Sequence, residues 1–234
     1  DVQVDVQDTW TLIPQINYSS GDGRNRRSIG IADSDIFGYG KRFELLSSED
    51  DGRKTIQTVY DDRRFLGTPN QLEIARFDRE DGQIDRFSLE RPFRTLFDQL
   101  SYGVAFVHGD TAERLFRNSE ERYVFREDDT DFDIFYTITR GQPEVQSRRY
   151  SFGLNYFENT FTEADAQDYQ DLGIDLDEVE LEDLPLPENR RYVGPYIAYE
   201  AVVPEFISRN YIDRFDRFDD YNLGAQTSAK LQFA

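Results

Sequence analysis

Residues 29–46 read IGIADSDIFGYGKRFELL, and the placing of their glycines decides how the chain is read. Gly30, Gly38 and Gly40 punctuate the stretch, with Asp33, Ser34 and Asp35 between them. Residues 28–32 predict one strand and residues 42–47 the next, which makes a β-hairpin with a glycine-rich corner. Glycine takes φ > 0 freely and lets two backbones approach closely. Each of the three is therefore expected at a bend or at a close approach.

The same two-residue period recurs outward from this hairpin. Val2, Val4 and Val6 alternate with Gln3, Asp5 and Gln7, and Trp10, Leu12, Ile16 and Tyr18 share one parity against Thr11, Gln15 and Asn17. Pro14 has no N–H to donate, which suits an edge strand or a bulge. Downstream, SSGDGRN, SEDDGRK with Asp51-Gly52 at its tip, residues 67–70 and Asp81-Gly82 read as turns, and ERPFRT interrupts the pattern. Leu100, Tyr102, Val104 and Phe106 face one way, with Ser101, Gly103 and Ala105 the other. Phe132, Ile134, Tyr136 and Ile138 repeat the scheme, as do Tyr150, Phe152, Leu154 and Tyr156. Residues 191–203 and 221–233 are the last clear strands. The count is about ten to twelve strands, each near the 9–11 residues of a tilted membrane strand. No helical period is sustained, so the fold class is all-β.

Composition narrows the choice. The 234 residues hold 27 Lys and Arg against 47 Asp and Glu, a net charge of −20. Such a surface repels phosphate backbones and excludes nucleic acid as a partner. The absence of Cys excludes disulfides and thiolate metal sites. Aromatic residues reach 15% beside 32% charged residues, a mixture that suits a membrane barrel with aromatic girdles and a polar lumen. No stretch approaches 18 apolar residues, so a transmembrane helix is not expected, and residues 1–8 carry no basic leader. A soluble β-sandwich or calyx would show the same alternation. It would bury the parity that carries Tyr, Phe, Leu and Ile, whereas a membrane barrel turns that parity to lipid and its charged, Ser and Gly parity to a wet lumen.

Several stretches resemble the BamA/TamA-type outer-membrane barrels of the bacterial surface antigen family. IFGYGK resembles their first hairpin turn and DTWTLIPQINYSSGDG their first barrel strand, with VQVDVQ as the last strand of a preceding periplasmic POTRA-like domain. YDDRRFLGTPNQLEI, SLERPFRTLFDQLSYGVAF, RRYVGPYIAYE and YIDRFDRFDDYNLGAQ resemble later segments in the same order. The family's V-R-G-F/Y loop motif has no counterpart: Arg140-Gly141 lacks the aromatic and comes too early. The resemblance implies residues 1–7 as the end of a POTRA-like domain and residues 8–234 as an incomplete antiparallel transmembrane β-barrel. It also implies the outer membrane of a Gram-negative bacterium and no cofactor. The implied partners are outer-membrane lipid, unfolded or exported polypeptide clients and, through POTRA domains, periplasmic proteins. The gate strand would hold Thr9, Trp10, Thr11, Leu12, Ile13 and Pro14.

Candidate chemistry is sparse. His108, the single histidine, has no second His or Cys to complete a metal or catalytic site. Asp33/Asp35, Asp61/Asp62, Asp128/Asp129 and Asp219/Asp220 are carboxylate pairs of the kind glycosidases use, but 47 acids produce such pairs by chance. No nucleophile elbow or phosphate loop is present, so the chain is not read as an enzyme. Arg63/Arg64, Arg148/Arg149 and Arg190/Arg191 are expected to pair with lumen acids, the other reading being contact with anionic headgroups. Residues 158–189 hold twelve acids and no Lys or Arg. They are expected to form a long external connection, largely without regular strand, since their charge cannot be buried without partners. Asp175, Asp177, Glu178, Glu180, Glu182 and Asp183 are its densest part and could gather Ca²⁺ or Mg²⁺ loosely, although D-x-D-x-D-G spacing is absent. The readings of function are an assembly or translocation barrel, a passive outer-membrane pore or structural barrel, and a soluble binding or carbohydrate-active β domain.

Overall fold

The computed structural model describes residues 10–21, 24–50, 53–117, 120–142, 144–174, 186–210 and 218–233. The expected POTRA-like tail at residues 1–7 lies outside them. Eleven strands form one antiparallel meandering sheet that is not closed. They are β1 (Leu12–Gly21), β2 (Arg24–Asp33), β3 (Lys41–Asp50), β4 (Arg53–Asp62), β5 (Gln71–Arg79), β6 (Gly82–Arg91), β7 (Leu100–Arg117), β8 (Glu120–Gln142), β9 (Gln146–Glu163), β10 (Arg190–Val202) and, after a two-strand excursion, β13 (Gln226–Gln232). The excursion is a separate hairpin of β11 (Phe206–Asn210) and β12 (Phe218–Asn222). The all-β class and the strand number follow the period-2 pattern read from the sequence. Residues 221–233 do not form a single strand. Pro204 ends β10, Tyr221 pairs with Ile207 in the small hairpin, and only 226–232 return to the main sheet beside β10.

The glycines of the opening stretch divide as expected. Gly38 and Gly40 take φ of +76° and +67° in the β2–β3 turn. Gly30 instead marks a close approach, for a Cβ there would lie 2.4 Å from the Leu45 carbonyl oxygen. The β4–β5 turn repeats the β2–β3 design. Asp33 accepts from the Asp35 amide and Asp62 from the Arg64 amide, both at 3.0 Å. Phe37 and Leu66 then take positive φ of 53° and 54°, each followed by glycine. Positive φ is uncommon outside glycine, so the shared Asp-x-x-apolar-apolar-Gly order defines one turn used twice. In the β6–β7 connection Asp98 accepts from the Thr95 and Arg94 amides at 2.7 and 2.8 Å. Those bonds, Thr95 first, hold its carboxyl below the usual carboxylate range.

The chain divides into two compact units, Asp1–Leu89 with Phe106–Asp131 and Glu158–Arg191, and Glu90–Ala105 with Phe132–Phe157 and Tyr192–Ala234. In the first, a short helix α1 (Ala166–Asp171) is capped by Asp165 and packs through Tyr169, Leu172 and Ile174 on Ala112 of β7 and Val124 of β8. In the second, the Tyr196 ring of β10 lies over Gly153 of β9. Its hydroxyl donates to Asp133 at 3.1 Å, and the Lys230 ammonium sits 3.9 Å from the ring centre. A Cβ at Gly153 would lie 2.3 Å from that ring. The ring is held at its hydroxyl and cannot swing aside cheaply. Gly153→Val is expected to destabilise the protein by about 1–3 kcal/mol by overpacking, read as a lowered urea midpoint, with Tyr196→Ala in the same background recovering part of the loss.

Candidate functional site

The faces of the sheet decide what it can contact. In the first unit Ile29 and Ile31 of β2, Leu45 of β3, Ile56 of β4 and Ile74 of β5 are exposed, while Glu44, Asp61 and Ala75 on the other parity are buried. In the second unit Tyr102, Ile134, Tyr136, Tyr150, Phe152 and Leu154 are exposed, and Ser101, Thr137, Thr139 and Ser147 are buried. Among the described residues thirty large hydrophobic side chains are exposed, against nine buried hydrophobic residues. The exposed parity of the first unit also carries ion pairs, Arg27–Glu49 and Arg76–Asp78 among them.

The buried parity is held by polar contacts. Glu44 accepts from Arg42 and from Gln57, the latter at 2.9 Å. Asp61 accepts from Gln71 at 3.0 Å, while Asp62, at the strand end on the opposite parity, pairs with Lys41 at 3.4 Å. The Asp61/Asp62 pair is thus spent on framework contacts. Arg149 reaches Glu200 at 2.9 Å and stacks on Phe93, its guanidinium 4.3 Å from the ring centre, as expected of a pairing arginine. Its neighbour Arg148 bonds Gln146 instead. His108 meets Thr130 at 3.2 Å and Asp128 at 4.0 Å and stacks against Phe106, a structural environment. Among the described residues no group of three or more His, Asp or Glu is placed to hold a metal ion.

The strand read as the gate lies at the sheet edge. Strand β1 pairs only with β2 in the sheet order, over all ten of its residues, with Pro14 opposite Ile31. Trp10 and Ile16 are 82% and 75% exposed, and Leu12, Ile13, Pro14 and Tyr18 are exposed too. Thr11 accepts from the Ser34 amide at 3.3 Å, and Thr9 lies outside the described residues.

The acidic segment departs from expectation in two ways. Residues 158–163 continue β9 and residues 166–171 form α1, so its first part is regular structure. Asp168 is only 3% exposed and pairs with Arg126 of β8, which also binds Asp110. The segment has no cation of its own and borrows one from 42 residues upstream. Asp175, Asp177, Glu178, Glu180, Glu182 and Asp183 lie outside the described residues. Among the described residues no helix is long and apolar enough to cross a membrane, which leaves crossing by strands untouched. No protein-family model matches the chain, and no curated protein matches it.

The Arg126–Asp168 pair anchors α1. Arg126→Met leaves a buried carboxylate without its cation and is expected to cost about 3–5 kcal/mol, read as faster hydrogen exchange over residues 166–171. Combining Arg126→Met with Asp168→Leu should restore part of the protection: the buried charge is gone, while Asp110 still lacks its arginine and the Asp165 amide loses its acceptor.

Proposed function

We propose that the chain is part of an outer-membrane β-barrel similar to the BamA/TamA family, and that it assists the insertion or translocation of polypeptides at that membrane. The observation that carries the reading is the exposed apolar parity of the sheet. Its Ile, Leu, Phe and Tyr side chains are exposed on one parity, which also carries ion pairs such as Arg27–Glu49 and Arg76–Asp78, while Glu44, Asp61, Ser101, Thr137, Thr139 and Ser147 are buried on the other. An apolar exterior over a polar interior is what a strand-built membrane protein requires, because hydrocarbon cannot solvate charges and a lumen can. The family likeness of the IFGYGK turn and the first-strand segment adds the assembly role. The gate would work without covalent chemistry: β1 offers an edge on which an incoming strand can pair by β-augmentation.

Trp10 is the single tryptophan and tests the membrane part directly. In vesicles of brominated phosphatidylcholine its fluorescence is expected to be blue-shifted and quenched. Emission that stays red-shifted and unquenched in protein shown to be folded would return the chain to the soluble β domain. The assembly part needs its own measurement. A photo-cross-linker in place of Thr11 is expected to capture an unfolded barrel precursor during insertion, whereas one in place of Arg148 on β9 should not. Equal capture at both positions, or none at Thr11, leaves a passive barrel.

A further inference from the structure

We infer that strands β2 to β6 carry a binding site for a phosphoryl group. Arg26, Arg53, Arg79 and Arg86 border one open cavity of about 480 Å³. In a chain of net charge −20 such a gathering of guanidiniums runs against composition, and local carboxylates do not balance it. Arg53 and Arg79 share one acid, the buried Asp81, at 2.8 and 2.9 Å. Arg26 takes Asp50, its Nε donating at 3.0 Å. Arg86 meets no carboxylate among the described residues; its guanidinium lies 5.0 Å from the centre of the Phe77 ring. Among the described residues four cations therefore face two anions.

The ligand class follows from that imbalance. A phosphomonoester carries about −1.5 to −2 charge at neutral pH and offers three acceptor oxygens, which matches the excess. A carboxylate would neutralise half of it. Guanidinium forks bind phosphate bidentately, and the hydroxyls of Ser48 and Thr55 border the same cavity as further donors. Its volume lies within the range of about 300–1,000 Å³ typical of small-molecule sites, so the phosphoryl group would arrive on a larger body. Phe77 and Ile84 supply an apolar wall for that body. All these residues belong to the first unit, and the inference does not rest on the membrane reading.

The experiment is calorimetric titration of the full chain with inorganic phosphate at low salt, repeated with Arg86→Gln and Arg148→Gln. Saturable binding is expected, weakened about tenfold by Arg86→Gln and unchanged by Arg148→Gln, whose side chain bonds Gln146 on β9. Arg86 makes no ion pair among the described residues, so its variant should keep the parent's far-UV circular dichroism; Arg26→Gln serves as a second variant if it does not. A second arm compares vesicles of phosphatidylcholine with and without phosphatidic acid, whose headgroup is a phosphomonoester. Phosphatidic acid-dependent binding that falls in Arg86→Gln identifies a lipid source. Phosphate binding with no gain from phosphatidic acid identifies a soluble one. Binding of neither probe, or binding that survives both arginine variants undiminished, overturns the site.

Discussion

The constraint on which the rest depends is that this fold buries carboxylates, Glu44, Asp61, Asp62, Asp81 and Asp168 among them, so each must find a partner. A buried carboxylate left without a partner costs several kcal/mol. The structure answers strand by strand. Arg42 and Gln57 serve Glu44, Lys41 serves Asp62, Gln71 serves Asp61, Arg53 and Arg79 serve Asp81, Arg126 serves Asp110 and Asp168, and Arg149 serves Glu200. Most of these partners sit on the next strand or two positions along the same one. The antiparallel register therefore does the pairing, and a slip of one residue would carry a whole set of charges to the apolar side.

The exposed apolar side chains, on strands and in turns, show what such an arrangement requires of its surroundings. Burying a Val, Leu, Ile or Phe side chain is worth about 1.5–3 kcal/mol, and among the described residues thirty large hydrophobic side chains forgo much of that. Against a net stability of about 5–15 kcal/mol for an ordinary domain, that shortfall is large. On the membrane reading lipid covers the face without specificity, which suits Ile, Leu, Phe and Tyr side chains with no single pocket shape to match.

Much of this was legible from residue order. Alternation gave the strands, because a period of two needs no tertiary information. Gly30, Gly38 and Gly40 were readable as bends or close approaches, and only the structure divides them, Gly38 and Gly40 taking positive φ and Gly30 a close approach to β3. Three features were not legible, each for a physical reason. The β11–β12 hairpin hides inside residues that also alternate, and only Pro204 signals the departure from β10. Helix α1 is too short to show a period, and its anchor is an arginine on a distant strand that no spacing rule connects to Asp168. The arginine cavity is assembled from five strands of the meander, so Arg26, Arg53, Arg79 and Arg86 are neighbours only once the register is known. Pairing of doubled arginines with acids was a sound expectation for Arg149, but the more consequential cations were single residues that no motif marks.

The edge at β1 takes its meaning from the solvent that meets it. In water, the outward N–H and C=O groups of an edge strand are hydrated at no cost, and charged or proline residues suffice to discourage pairing. Hydrocarbon offers no such partner, and each unsatisfied backbone group there costs several kcal/mol. An edge strand whose side chains are as apolar as Leu12, Ile13, Ile16 and Tyr18 is drawn into that medium, where its free backbone groups are driven to find another strand. Pro14 removes one donor from the set and weakens any one closure without abolishing pairing. The same chemistry that would make a permanently open edge untenable in lipid makes a replaceable partner strand favourable there. On the membrane reading the edge is therefore a site of exchange: whichever strand pairs best with β1 displaces the one that pairs less well.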